Sequence, residues 1–270
     1  MITSKITKSA GRAAFGLDPA GYDRGRPDYP AWVFECLSSR CNVGTSTAAF
    51  EIGAGTGKAT RQLLALGANP VVAIEPDPRL AAFLSEGTTV PALRIVNSAF
   101  EEADLDPFSF DLGICATAFH WLDESSALRR IADAIRPGGW WAPFWNIYGD
   151  PHKRDPFHEA TLELLAPGPA NPSNRGHPHL EFGADVDARV SALRAAEAFD
   201  SIEVHQSTWS VTLNGSQVVD LYASYSNVSL RSDREAVLAE LGRIAREDFG
   251  NSVTRNITTV LYLARRRLSE

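Results

Sequence analysis

Apolar residues fall along this chain in short runs of strand length, separated by stretches in which they recur every three or four positions. Such a pattern predicts buried parallel strands alternating with amphipathic helices. The strand runs are residues 48–52, 71–74, 93–96, 110–117 and 140–147, followed by 199–204 and 256–265, seven in all. Helical spacing marks residues 29–37, 60–66, 76–86 and 125–135 between them, and residues 216–228 and 232–249 before the last run. Residues 206–213 continue the sixth run as an extended segment containing Trp209. The predicted class is α/β, with one sheet whose strands are linked by crossover helices.

The first crossover carries the clearest chemistry. Glu51-Ile52-Gly53-Ala54-Gly55-Thr56-Gly57 joins the first strand to the next helix, and the second strand ends in Glu75. Glycines there let the backbone approach a ligand and adopt φ > 0 without penalty. A carboxylate at the end of the second strand can accept both hydroxyls of an unphosphorylated ribose, so the motif predicts a nucleoside-containing cofactor. A P-loop needs Ser or Thr after its Lys, and Ala59 follows Lys58 here. A dinucleotide turn needs Gly-x-Gly-x-x-Gly, whereas this one reads Gly-x-Gly-x-Gly.

The turn resembles the first motif of class I methyltransferases that use S-adenosylmethionine. Further likeness lies in Tyr22-Asp23-Arg24-Gly25-Arg26-Pro27-Asp28-Tyr29-Pro30, Ala73-Ile74-Glu75-Pro76-Asp77, Ser98-Ala99-Phe100-Glu101, the run from Phe110-Asp111-Leu112 to Phe119-His120-Trp121, and Arg136-Pro137-Gly138-Gly139. The arm before the core is similar to that of a subgroup of small-molecule enzymes resembling trans-aconitate methyltransferase. The resemblance implies a Rossmann-like seven-stranded methyltransferase sheet, its last strand antiparallel, with helical lid insertions. The expected organisation is a single domain over 1–270: a core at about 31–147, 199–213 and 256–267, an amino-terminal arm at 1–30, and lid segments at about 150–195 and 214–252.

By the same resemblance, S-adenosylmethionine is the cofactor, leaving as S-adenosylhomocysteine. It is expected to touch Tyr22, Arg26, Glu51, Gly53, Ala54, Gly55, Thr56, Gly57, Glu75, Pro76, Ser98, Ala99, Phe100, Ala116 and Phe119. Ser98 is expected at the adenine amino edge and Ala99 or Phe100 against the ring. The acceptor is expected to meet Arg24, Tyr29, His120, Trp121, Trp145, Tyr222 and Tyr225.

Three roles stay open for His120: general base, hydrogen-bond donor to the acceptor, or lead-in to the helix near Asp123. Histidine titrates nearest neutrality, which suits the first where a hydroxyl must lose its proton. The arm from Tyr22 to Pro30, rich in aromatics, arginines and prolines, is read either as an ordered surface arm without regular structure or as a wall over the cofactor. Residues 1–19 are read as a loose lead-in. Residues 150–179 are read as irregular, and their histidines His152, His158, His177 and His179 lack partners at metal-ligand spacing, so no metal is expected.

Composition narrows the class further. A formal net charge of -7 and the absence of a Lys/Arg stripe argue against a nucleic-acid partner. Cys36, Cys41 and Cys115 are too few and too irregular for a disulfide framework, which suits a cytoplasmic protein. No run approaches the roughly 20 apolar residues of a membrane span. The resulting expectation is a methyltransferase (EC 2.1.1.-) acting on an oxygen, carboxylate or hydroxyl, of a small molecule, as monomer or homodimer. Nitrogen, carbon or RNA acceptors and a non-catalytic cofactor-binding scaffold are the alternatives.

Overall fold

The computed structural model describes residues 7–148, 154–166 and 181–268. Its elements in chain order are α1 (Lys8–Phe15), α2 (Pro19–Gly25), α3 (Ala31–Cys41), β1 (Ala49–Ile52), α4 (Lys58–Ala65), β2 (Val71–Ile74), α5 (Pro78–Gly87) and β3 (Leu93–Val96). There follow β4 (Phe110–Ala116), a 3-10 turn at Phe119–Trp121, α6 (Glu124–Ala134), β5 (Ile135–Ile147), α7 (Pro156–Leu165), a second 3-10 turn at Phe182–Ala184 and α8 (Val186–Ala195). The chain closes with β6 (Phe199–Leu213), α9 (Gly215–Ala223), α10 (Ser226–Ser229), α11 (Arg234–Glu247) and β7 (Val253–Arg266).

The seven strands lie in the order β3-β2-β1-β4-β5-β7-β6, with the last strand antiparallel, as expected for this α/β class. The direction of winding reverses between β1 and β4, and an open sheet of this kind takes ligands at the carboxyl ends of its strands beside such a switch. Parallel register puts those ends level, with Ile52 opposite Ile74 and Ile74 opposite Val96.

The chain divides into two compact units: Tyr29–Asn146, Asp185–Gln206 and Thr259–Glu270 form one, and Met1–Asp28, Ile147–Ala184 and Ser207–Thr258 the other. In the first, the sheet unit, β1 and β2 are buried at every position because neighbours cover both faces. Val33, Phe34 and Leu37 of α3 join Ala49, Val71, Leu112, Ile114 and Phe144 in its core. Burying each large side chain contributes about 1.5–3 kcal/mol, enough to dock a helix of modest propensity.

In the second, the helical unit, Phe157, Val218, Leu221, Val237, Leu238, Leu241 and Val253 make a separate core. Helices α2 and α9 approach so closely that a β-carbon on Gly25 would stand 2.3 Å from the carbonyl oxygen of Asp220. No side chain larger than hydrogen fits there.

Four expectations are corrected. Residues 1–19 contain helix α1 and the start of α2, and the Tyr22–Pro30 arm is helical as far as Gly25. Asp18 caps α2 by accepting from Gly21 N at 2.9 Å, with Pro19 in the first turn. The same Asp-Pro device opens α7 inside the stretch read as irregular, where Asp155 accepts from His158 N at 2.7 Å. Arg136–Gly139, which fall between the predicted helix over 125–135 and strand over 140–147, belong to the fifth strand: β5 begins at Ile135 opposite Phe110 and absorbs a register shift at Phe110/Leu112, with Gly138 at φ +82°. His152, His177 and His179 lie outside the described residues.

Candidate functional site

The turn after β1 is built on three left-handed residues, Gly53, Gly55 and Gly57, at φ +70°, +57° and +88°. At Gly57 a β-carbon would come within 2.2 Å of Leu84 Cδ1, while nothing stands within 4 Å of the corresponding point at Gly55. Gly57 is therefore demanded by packing as well as by φ, and Gly55 keeps open backbone at the edge of the sheet. Arg61 reaches back from α4 to donate to the Thr56 carbonyl at 2.7 Å. The hydroxyl of Thr56 is buried without a partner, so its side chain faces inward and the turn offers main chain.

Glu75 stands across from this turn, 5% exposed. Its Oε2 accepts from Gly55 N at 2.8 Å and its Oε1 from Asp77 N at 2.9 Å. These two backbone N–H groups aim the carboxylate. Asn97, just past β3, donates through Nδ2 to the carbonyls of Glu75 and Pro76 at 2.8 and 3.2 Å. The end of β3 is thereby tied to the end of β2. Sequence reading passed over Asn97, Thr60 and Arg61, since nothing in their spacing distinguishes them from ordinary surface positions.

Glu51, 1% exposed, accepts from the Thr60 hydroxyl at 2.5 Å. Burial pushes its carboxyl up to about 8, only partly offset by the Thr60 bond, with Glu75 raising it further. A folded-state value above the ordinary 4.5 means the native state holds an extra proton between those values. The stability Glu51 contributes is present below pH 4.5 and lost as pH rises through about 8. Glu51→Gln, which keeps the shape without the charge, is expected to flatten the fall in thermal midpoint between pH 5 and pH 8, read by calorimetry at several pH values.

After β3, Ser98 turns its hydroxyl to the Ala99 carbonyl at 3.0 Å. Phe100, 2% exposed, stacks on Phe50 at 6.4 Å between centroids, with Arg130 of α6 over its ring and donating to the carbonyls of Phe100 and Ala103. Of the two residues offered for the adenine face, Phe100 packs into the core. Phe119 is likewise 2% exposed and packs against Trp141 at 5.3 Å. Ala54 is buried, Ala116 half-buried and Pro76 exposed.

Beyond β4, Thr117 takes a left-handed φ of +55° and accepts from Tyr29 Oη at 2.9 Å and Asn146 N at 3.3 Å. Thr259 completes this chain by donating to Asn146 Oδ1 at 2.7 Å. His120 and Trp121 follow in the 3-10 turn, both buried, and Trp145 Nε1 donates to His120 Nδ1 at 3.4 Å. The sheet unit thus brings together the glycine turn, Glu75, Pro76, Ser98 and Ala99 on one side of the switch and Tyr29, His120, Trp121 and Trp145 on the other.

Tyr22, Arg24, Arg26, Tyr222 and Tyr225 belong to the helical unit. Arg26 lies over the rings of Tyr225, Tyr148 and Tyr22 at 4.6, 5.3 and 5.5 Å and donates to the Ser224 carbonyl at 3.1 Å. Arg24 is exposed, 3.6 Å from Asp220. Tyr222 accepts from Arg255, and the Tyr225 hydroxyl is buried without a partner. Among the described residues no cluster of His, Cys, Asp and Glu could hold a metal, and no helix is long and apolar enough to cross a membrane.

Residues 50–142 match the family model of a methyltransferase domain. An uncharacterized methyltransferase of Mycobacterium tuberculosis is 29% identical over 79% of this chain and 76% of its own length. One of Schizosaccharomyces pombe is 25% identical over 92% and 95% respectively. In fold, the chain is similar to a protein of Anaeromyxobacter dehalogenans provisionally assigned as a type II methyltransferase, with TM-score 0.65, 21% identity and coverage of 91% and 99%. It also resembles a Haemonchus contortus phosphoethanolamine N-methyltransferase in complex with S-adenosylhomocysteine, with TM-score 0.53, 13% identity and coverage of 88% and 52%. The [4+2]-cyclase SpnF shares the fold at TM-score 0.52, 13% identity and coverage of 91% and 85%. Residues 50–142 are thus similar to a methyltransferase domain, in a chain whose fold is that of Rossmann-like methyltransferases.

Proposed function

We propose that this chain transfers the methyl group of S-adenosylmethionine to an oxygen of a small-molecule acceptor. The observation that carries the cofactor assignment is the Glu75 carboxylate, fixed by Gly55 N and Asp77 N at the end of β2. The residues present fit the group: a glycine cradle with open backbone at Gly55 and an aimed carboxylate are what an adenosyl ribose and its attached chain require.

Glu75 would hold the ribose hydroxyls, and main chain from Gly53 to Gly57 the chain beyond it. Ser98, Ala99 and Pro76 would border adenine. Glu51, Ala116, Phe100 and Phe119 support those walls from within, and Tyr22 and Arg26 complete the proposed cofactor set. The bound cofactor supplies a methyl group already activated on a sulfonium, so the protein's task is alignment in a dry site. Tyr29, His120, Trp121 and Trp145 are the proposed acceptor-side residues of the sheet unit, with Arg24, Tyr222 and Tyr225 those of the helical unit.

A fold shared with a cyclase does not by itself define a reaction. The test is formation of S-adenosylhomocysteine when the chain is offered S-adenosylmethionine with panels of organic acids, phenols, alcohols and amines. Turnover with an acid or hydroxyl compound supports the reading, and turnover confined to amines overturns the oxygen assignment. Calorimetric heat with NAD and none with S-adenosylmethionine overturns the whole of it.

A further inference from the structure

Three donors from elsewhere in the sheet unit close the last turn of α6. Phe108 N donates to the Asp133 carbonyl at 2.8 Å, Ser109 N to that of Ala134 at 3.0 Å, and Arg266 Nε to that of Ala132 at 3.1 Å. A helix leaves its final carbonyls without partners of its own, so these bonds satisfy its end. Phe108 makes its bond from a left-handed φ of +51°, a conformation that costs an ordinary residue about 1–2 kcal/mol and that glycine or asparagine adopts more readily. The chain nonetheless carries phenylalanine there, 52% exposed.

A second large apolar residue stands near the same end of the sheet. A β-carbon on Gly138 of β5 would come within 3.1 Å of Leu268 Cδ2 and 3.6 Å of Arg265 Nη2. Leu268 is 65% exposed. Arg136, two residues before Gly138, donates to the Ser109 carbonyl at 2.7 Å and so ties the Phe108 loop to the start of β5.

Charge on this surface is divided. Beside Phe108 stand the exposed carboxylates of Asp104, Asp106 and Asp133. Beside Leu268 stand Arg265 and Arg267, both exposed, whose Nε atoms donate to the carbonyls of Gly138 and Phe199 at 3.3 and 3.4 Å. A carbonyl takes an N–H without cancelling the charge. The face therefore carries an acidic half and a basic half, each with an exposed apolar side chain.

A face of this kind fits a second copy of itself. In a two-fold pairing the same patch is used on both subunits, so an acidic half that meets a basic half does so twice. Anionic headgroups or a phosphate backbone would be drawn to the arginines but repelled by the three carboxylates around Phe108. We propose that this face is a homodimer interface, in which the acids beside Phe108 of each copy oppose Arg265 and Arg267 of the other and the two apolar side chains are covered. It lies at the amino ends of β4 and β5. The glycine turn and Glu75 are at the carboxyl ends of their strands, so the pairing leaves that edge clear in both copies.

Sedimentation of the full chain across the micromolar range tests this. The wild type is expected to run at twice the mass of the chain. Arg265→Glu with Arg267→Glu makes both halves acidic, and Asp104→Lys with Asp106→Lys makes the other half basic. Each pair of substitutions is expected to raise the dimer dissociation constant about 100-fold or more, because every reversed charge then meets its like twice. An equal mixture of the two variants should recover a dimer, since each now supplies the charges the other lacks; recovery also shows that neither has misfolded. Phe108→Asn keeps a residue that tolerates the left-handed backbone and removes the ring from both halves, which should weaken the dimer about tenfold or more with an unchanged circular dichroism spectrum. A monomeric wild type overturns the proposal, as does a dimer that neither charge reversal weakens. Failure of the mixture to recover a dimer overturns it too, because the two halves then do not face each other. Binding of a monomeric wild type to phosphatidylserine vesicles, lost in the Arg265→Glu, Arg267→Glu variant, would overturn it in favour of an anionic surface.

Discussion

Glu75→Ala is expected to raise the dissociation constant for S-adenosylhomocysteine by about 100-fold or more in calorimetry. Two ribose hydroxyls donating to an ionised carboxylate each contribute about 1.5–3 kcal/mol, and every 1.4 kcal/mol is a factor of ten. The substitution also removes the acceptor for Gly55 N and Asp77 N, so the turn after β1 and the start of α5 lose the group that orients them toward each other. Glu75→Gln removes less: the amide keeps the size of the side chain and one accepting oxygen, so one of the bonds from Gly55 N and Asp77 N persists while the other N–H meets a donor, and the loss in thermal midpoint should be smaller than in Glu75→Ala. Affinity should still drop about tenfold, because one hydroxyl then meets a donor. If both variants bind S-adenosylhomocysteine as the wild type does, Glu75 is a turn anchor and the cofactor assignment loses its support.

The strands on which this argument stands were legible before any coordinates. Residues 71–74 coincide with β2, buried at every position of the parallel sheet, and 93–96 with β3, the less buried edge strand beside it. Glu75 was legible as the first charged residue after such a run. The partners that aim it were not. Its bonds to Gly55 N and Asp77 N are to main chain, which every residue carries, and Asn97 reaches it only because β3 lies beside β2. The packing of Phe100, which the resemblance offers for the adenine ring, was not legible either: past the end of β3 the chain turns it onto Phe50.

In the amino-terminal arm and in residues 154–166 the helices begin at caps that composition hides. Prolines and arginines there suggested irregular backbone, but Asp18-Pro19 and Asp155-Pro156 are each an acceptor followed by a residue preset for the first helical turn. What composition weighs as disorder, position turns into a helix start. The pairing of Asp155 with Arg255, one hundred residues on, has no local signal at all. It arises only when β7 is laid beside α7.

Asp155→Ala is accordingly expected to destabilise the helical unit by about 3–5 kcal/mol, the usual result of leaving one member of a buried ion pair alone. Asp155 is 3% exposed and Arg255 2%, so neither can recover water by a small shift. The carboxylate takes Arg255 Nε and Asn256 N on Oδ2, both at 2.9 Å, and caps α7 through Oδ1. Arg255 has neutral partners besides, the Tyr222 hydroxyl and the Tyr148 carbonyl. Asp155→Asn should cost less, since its remaining oxygen can still cap α7, although its amide N–H₂ then faces Arg255 Nε and Asn256 N where the carboxylate accepted. Both variants are compared by urea unfolding, followed by tryptophan fluorescence and by circular dichroism, with the smaller loss expected in Asp155→Asn. Arg255→Met added to Asp155→Asn should restore part of the loss by removing the uncompensated cation, whereas two independent packing defects would simply add. Additive losses in that double variant would mean that the pair is held by shape and that its charges are incidental.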